Sequence, residues 1–287
     1  KSKPLSGVIV KNAFKSVLGS MKKILATFTN HWQLTNATCL VTNEIVMLSA
    51  FYRTHKSPSN TDLGAVSKRL ILSMIRKSTT GGSTQALTTE ACAAMRTAAP
   101  ATLLDDILDT KALEVADLGN IDAESKKKPK SALGIDSMMF QIMKLYIFRK
   151  GAYDIFSKTH KLTRATFSMD DVDHFYPKSK LKKYNSLEFR RHHLANFVLM
   201  SQWSNRSKGG KWPYSVIDSN AAWPSNSKDR ANWKSLILPR KTSSGPWAQS
   251  PGRAFNEMVF LQFLSWRTKL WVIELNRMLK DIETSGF

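Results

Sequence analysis

Acidic residues are scarce in this chain: 22 Asp and Glu stand against 43 Lys and Arg, a net charge of +21. Such an excess opposes compaction unless it serves a polyanionic partner, so nucleic acid or an anionic membrane surface is expected. Cysteine is nearly absent. Cys39 and Cys92 lie far apart with no CxxC pair, which excludes a disulfide framework and a structural zinc site; both read as buried free thiols of a reducing cytoplasm. No uncharged apolar run reaches the roughly 18 residues that a membrane-spanning helix needs. The opening KSKPLSGVIVKNAFK lacks the apolar core and small-residue cleavage pattern of a secretory signal. It also lacks an initiator Met, and the expectation is a fragment or processed piece whose missing N-terminal part carries a function of its own. Disorder is not expected, because 42% of the residues are hydrophobic and there are 8 Trp and 14 Phe.

The chain carries no internal repeat. Its first ~130 residues predict a succession of helices. Val10, Phe14, Val17, Leu18, Met21, Ile24, Leu25 and Phe28 keep helical spacing. So do Leu63, Val66, Leu70, Ile71, Met74 and Ile75, behind a cap expected at Asn60 or Thr61. Lys68, Arg69, Arg76 and Lys77 make this second helix basic, either as a solvated face or as a phosphate-contacting one. DAESKKKPKSALG, with its Lys126–Lys130 run, reads as a linker. Beyond it, Met138, Met139, Ile142, Met143, Leu145 and Tyr146 form a wide apolar face expected in the core. The run Phe255, Val259, Phe263, Trp266, Leu270 and Ile273 predicts a long C-terminal helix whose face Met258, Leu264, Trp271 and Leu275 widen, with Arg267, Lys269 and Glu274 keeping it out of a bilayer. Between them, KLTRATFSM, DVDHFY and NFVLMS carry β-branched and aromatic residues in short runs, as strands do. The expected fold is mainly α, with a helical region over 1–130, a core with a small two-stranded insert over 131–228, and a C-terminal helical segment over 229–287.

The insert holds the chemistry. Asp173 and His174 are adjacent in SMDDVDHFYPKSK. Successive residues of a regular strand face opposite ways, so the two reach one site only at a strand end. Pro177, which cannot donate to a ladder, marks that end. Asp171 shares a face with Asp173 if the strand begins there. Downstream come Asn196 in HHLANFVLMSQW and Asn205 nine residues on in QWSNRSKGGKWP. Lys178, Lys180, Lys182, Lys183, Arg190 and Arg191 crowd the connection, and Arg206, Lys208 and Lys211 follow Asn205. A phosphate backbone drawn over this surface would pass the Asp-His pair, each neutralised phosphate adding roughly 0.9 to the salt slope. Trp203, Trp212 and Trp223 offer stacking surfaces, although burial is the expected state of each. His192 and His193, beside Leu194, are expected to be packing or surface residues.

In its order Asp-His-x-x-Pro, basic connection, Asn-Phe-Val-Leu and second Asn, the pattern resembles the HNH, or ββα-metal, nuclease motif, and its Asn spacing is like that of the HNH domain in RNA-guided CRISPR nucleases. VDHFYPKS, NFVLMSQWSNRSKGGKWP and the aromatic C-terminal helix are more similar to the C-terminal domain of GmrSD-type restriction endonucleases, shared by SspE-like phage-defence nucleases that sense phosphorothioate. The specific match covers Asp171–Pro213. The resemblance implies an embedded ββα-metal insert in which His174 is the general base, Asp173 and Asn205 hold one metal, and Asn196 pins the loop that aims the imidazole. Phosphodiester cleavage needs an activated water and a dication that neutralises charge on the phosphorane-like transition state. His, with an ordinary pKa of about 6.5, is poised to take a proton at neutral pH. Asn205, at a position where many HNH enzymes carry His, suits Mg²⁺ better than Zn²⁺, with Mn²⁺ expected to substitute and no structural zinc. The resemblance further implies a DNA partner, a preceding NTP-binding domain, a prokaryotic cytoplasm, no membrane, and a monomer that nicks DNA.

Two other classes compete with a nicking DNA endonuclease. A basic nucleic-acid-binding module with a silent HNH-like insert would bind steeply with salt yet give no metal-dependent product. An RNase would carry the same motif, because the motif addresses phosphates rather than bases. A membrane-surface protein is the weakest fit, since the charges cluster around the insert rather than along one amphipathic helix.

Overall fold

Helices carry most of the described chain, as the 3.6-residue spacing predicts, and the described residues hold a single two-stranded sheet. The computed structural model describes residues 7–34, 42–76, 84–119, 137–157, 159–188, 190–212, 227–238 and 256–287. The expected boundary near residue 130 and the Lys126–Lys130 run lie outside these residues, as do Cys39, Lys77, Trp223 and Phe255. The chain divides into two compact units, Lys1–Ala112 with Arg277–Phe287, and Leu113–Asn276. No helix among the described residues is long and apolar enough to cross a membrane.

The first unit contains α1 (Gly7–Ala26), α2 (Thr42–Thr54), α3 (Asn60–Arg76), α4 (Thr84–Ala94) and α5 (Pro100–Ile107). α3 is capped one residue earlier than expected. The Ser59 hydroxyl accepts from the Asp62 amide at 3.0 Å, and the Asp62 carboxylate accepts from the Ser59 amide in return, which satisfies two donors at the helix start. Its basic residues serve internal pairs. Lys68 donates to Glu283 at 2.6 Å, Arg69 to Glu283 at 2.7 Å and to Asp105 at 2.5 Å, and Arg76 to Asp109 and to the carbonyls of Lys111 and Ala112. At Gly64 the backbone meets the Ile282 carbonyl so closely that a Cβ would lie 2.0 Å from its oxygen. The stripe expected on α1 is only partly covered. Ser20, Ile24, Thr27 and Phe28 are buried, with the Thr27 hydroxyl 2.5 Å from that of Tyr52 in α2, whereas Phe14, Val17, Leu18, Met21 and Leu25 are exposed. The apolar stripe is wider than the buried face.

In the second unit come α6 (Met138–Arg149), β1 (Asp170–His174), α7 (Lys178–Leu181), β2 (Phe197–Ser201), α8 (Gln202–Lys208) and α9 (Ser227–Ser235). The long α10 (Glu257–Ser285) enters this unit with its residues up to Asn276. Every residue of the Met138–Tyr146 stripe is buried, as expected of a core helix. β1 and β2 pair antiparallel, Asp171 opposite Met200 and Asp173 opposite Val198. The run KLTRATFSM is not a strand. Thr163 and Thr166 exchange side-chain and backbone hydrogen bonds that close a turn, and such local bonds compete with a ladder.

The long helix buries Phe263, Leu264, Trp271 and Leu275 of its expected face but not Met258 or Ile273. Its buried line is Phe260, Phe263, Leu264, Arg267, Trp271 and Leu275, while Ile273 is exposed. Arg267 sits in the middle of the core. Its guanidinium donates to the carbonyls of Ala195 and Phe197 at 2.7 Å each, of Ile237 at 2.9 Å and of Leu236 at 3.2 Å. Full burial lowers this guanidinium to about 9, and the four carbonyl dipoles take the place of the water it has lost.

Candidate functional site

The strand end is fixed by its successors. Phe175 still donates its amide to the Asn196 carbonyl at 2.6 Å, and at Pro177, where no amide hydrogen remains, the chain turns into α7. Asn196, fully buried, holds this turn. Its amide oxygen accepts from the Tyr176 N–H at 2.9 Å, and its amide nitrogen donates to the carbonyls of Tyr176 at 3.1 Å and Arg191 at 2.9 Å. One side chain thus ties the end of β1 to the segment that precedes β2.

α8 follows β2 without a loop, because Ser201 caps it by accepting from the Ser204 amide at 3.2 Å. The helix lies across the face of β1 that carries Asp171 and Asp173. Asn205 donates to the Asp171 carboxylate at 3.0 Å. One helical turn on, the Lys208 ammonium donates to the Asp173 carboxylate and, at 2.7 Å, to the His174 carbonyl. Gly209, at a φ of +50°, ends the helix, and a Cβ on Gly210 would lie 3.2 Å from the Ser179 hydroxyl. Asp173 and His174, neighbours on a strand, both line one open cleft of about 470 Å³ with Lys178, Lys182, Lys208 and Gly210.

His174 faces two aromatic rings. Its Nε2 lies 3.2 Å from Nδ1 of His192, and its ring centroid is 4.6 Å from that of Phe197. Burial, then the neighbouring His192, push His174 down to about 4, with the Lys178 and Lys208 ammoniums acting the same way and Asp173 opposing them. Burial, Lys178 and Arg191 lower His192 as well. Both imidazoles are therefore neutral at pH 7, and one donates its single N–H to the other. His192 is no bystander of packing, as its sequence position beside Leu194 implies; it is the ring partner of the proposed base. His193 does pack: it is buried, with Nε2 3.2 Å from the Gly119 carbonyl and Nδ1 accepting from the Ala195 amide at 3.0 Å.

The basic residues separate into groups. Lys178, Lys182, Lys183, Arg206 and Lys211 are exposed, and the first two line the cleft. Lys180, Arg190 and Arg191 are half-buried, with Arg190 donating to the Ser186 carbonyl at 2.5 Å and the Arg191 carbonyl accepting from Asn196. Lys208 is a correction. Expected to touch phosphate, it is 1% exposed and bound to Asp173 and the His174 carbonyl. Trp203 is also unlike its expected buried state, at 71% exposed on the first turn of α8, whereas the Trp212 ring lies 6.3 Å from that of Tyr176.

Among the described residues no group of three or more His, Cys, Asp or Glu is placed to hold a metal. The oxygen donors on this face of β1 and on α8 are the Asp171 and Asp173 carboxylates and the Asn205 amide, of which Asp173 alone lines the cleft. Such a hard set suits a Mg²⁺-like ion, which takes one or two carboxylates and completes its shell with water and substrate phosphate. A cation is already drawn to Asp173 in the form of the Lys208 ammonium. Among the described residues Asp173 and Asn205 are not brought together on one ion position: Asn205 is bonded to Asp171, and Asp173 to Lys208. No protein-family model, no curated protein and no solved structure matches the chain.

Proposed function

We propose that this chain is a Mg²⁺-dependent HNH-like endonuclease that nicks DNA, the nuclease part of a GmrSD-type phage-defence protein of the prokaryotic cytoplasm. The observation that carries the reading is the cleft in which Asp173 and His174 meet beside the ammoniums of Lys178 and Lys182. A carboxylate, a neutral imidazole and cations on one open surface are what in-line attack of water on a phosphodiester requires.

In this reading Lys178 and Lys182 draw the phosphate into the cleft, with Lys183, Arg206 and Lys211 extending the track along the exposed surface. His174 takes the proton from the attacking water. Its Nε2 is engaged by His192, so Nδ1 is the atom left for that proton. His192 fixes the ring's rotation and tautomer, and Phe197 holds its face. Asn196 keeps the β1 turn in place, so that the imidazole is carried by a rigid end rather than by a loop. Asp173, with the substrate phosphate, would hold the dication, which when bound supplies neutralisation of the phosphorane charge and of the leaving oxygen.

The test is supercoiled plasmid incubated with the chain and with its His174→Ala variant, in Mg²⁺ and in EDTA. Open-circular product is expected only from the parent in Mg²⁺, with the variant at least about 10²-fold slower. Equal nicking by the variant would remove His174 from the chemistry. DNA retardation without any cleavage would leave a binding module with a silent insert, and cleavage of RNA alone would make the chain an RNase.

A further inference from the structure

α1 leaves most of its apolar stripe in water. Phe14, Val17, Leu18, Met21 and Leu25 recur at helical spacing on one face. All five are exposed, Phe14 at 63% and Leu25 at 61%. Lys11, Lys15 and Lys22, exposed as well, run along one edge of that face. Ser20 and Ile24 lie beyond the other edge and are buried, on the side where α1 packs against α2. Scattered exposed apolar residues are ordinary, but a contiguous strip about three helical turns long marks a binding surface. Its charge is one-sided. The first 43 residues carry six lysines and no Asp or Glu, and the first acidic residue, Glu44, is buried in α2.

We infer that α1 is an interfacial helix that seats this chain on an anionic lipid surface. Phe14, Leu18 and Leu25 enter the boundary between headgroups and acyl chains, while Lys11, Lys15 and Lys22 reach the headgroups on their long apolar stems. Both halves of the pattern decide the partner. A nucleic acid would neutralise the lysines but leave five apolar side chains in water. A second copy of the chain would cover the strip yet bring no acidic group to the lysines. An anionic bilayer surface answers both, because buried apolar area and the attraction of each lysine to the charged surface add. The cytoplasmic leaflet carries such lipids. The attachment is peripheral, since no helix among the described residues is long and apolar enough to span. This departs from the expectation of no membrane, which weighed only where the lysines crowd; the structure adds that the stripe of α1 stays uncovered. The inference concerns the first unit and does not depend on the chemistry of the cleft.

The experiment is co-sedimentation of the intact chain with two kinds of vesicle, phosphatidylcholine alone and equal parts phosphatidylcholine and phosphatidylserine. A net charge of +21 draws any part of the chain to an anionic vesicle, so the deciding variant keeps every charge. It carries Phe14→Gln, Leu18→Gln and Leu25→Gln together, all at exposed positions and all to a good helix former; thermal melting followed by circular dichroism checks that it folds. A second variant carries Lys11→Gln, Lys15→Gln and Lys22→Gln. The parent is expected to bind the anionic vesicles and the apolar variant to bind them at least about tenfold more weakly. The lysine variant should lose about tenfold or more on anionic vesicles and nothing on neutral ones. Equal binding by the apolar variant and the parent overturns the inference, since bulk charge alone then holds the chain. So does a parent that binds neither vesicle, which leaves the strip to a protein partner, or one that binds both equally well. A dimer in sedimentation velocity that the apolar variant loses, with no vesicle binding by the parent, would assign the strip to a second copy instead.

Discussion

His193 uses its two ring nitrogens in opposite senses. Nδ1 accepts from the Ala195 amide, so the ring proton resides on Nε2 and is donated to the Gly119 carbonyl. A second proton would set an N–H against the Ala195 N–H, and burial pushes this imidazole down to about 4. An unfolded chain binds that proton near pH 6.5. The unfolded state therefore holds more protons between these two values, and stability is lost as pH falls from about 6.5 toward 4. Urea titration at pH 7 and pH 5 should show the parent losing about 2 kcal/mol more than His193→Gln, whose amide retains one donor and one acceptor but does not titrate. A parallel loss in both would place the acid sensitivity elsewhere. At this scale the strand-end placement of Asp173 and His174 and the anchoring by Asn196 were legible, because their adjacency, the Pro177 stop and the Asn-Phe-Val-Leu run are local. The His174–His192 pairing was not legible, since the rings are 18 positions apart in the chain, with α7 between them. Nor was Lys208, which in sequence is one more member of a basic run and differs from Lys211 only by facing inward.

The element most exposed to a single substitution is β2. Its first residue and the loop before it give their carbonyls, Phe197 and Ala195, to Arg267 of α10. These two carbonyls flank Asn196, so the same guanidinium braces the anchor of the β1 turn. Arg267→Met is expected to cost about 3–5 kcal/mol, the range for leaving buried polar groups without a charged partner. Arg267→Lys should recover little of this, because one ammonium cannot span four carbonyls held by three nitrogens. Denaturant midpoints of the two variants check both statements. Element type was readable where one periodicity dominated, as in α6, and where short β-branched runs were bounded by polar loops, as in β1 and β2. The threonines of KLTRATFSM mimic a strand in composition, yet Thr163 and Thr166 satisfy each other locally. α10 was legible as a helix and in part of its face, through Phe263, Leu264, Trp271 and Leu275, but not at Arg267, whose burial inverts what its charge implies.

For the whole molecule the governing quantity is the net charge of +21. Part of it is used internally: Lys68, Arg69, Arg76, Lys208 and Arg267 are all bound to acceptors of the protein. The exposed lysines of the cleft instead face solvent. Changing Lys178 and Lys182 together to Gln should weaken DNA binding at all sequences alike and lower the salt slope by about 0.9 for each phosphate no longer neutralised. Binding isotherms at several salt concentrations measure this, and an unchanged slope would move the DNA path away from the cleft. The first unit has a different consequence, one of timing. Chains begin to fold from the N-terminal side as they are synthesised. Yet Gly64 in α3 is shaped for the carbonyl of Ile282, and Lys68 and Arg69 await Glu283. The ribosome must release residues 277–287 before these pairings can close. The helices that precede the second unit in the chain are thus completed only after that unit has been made.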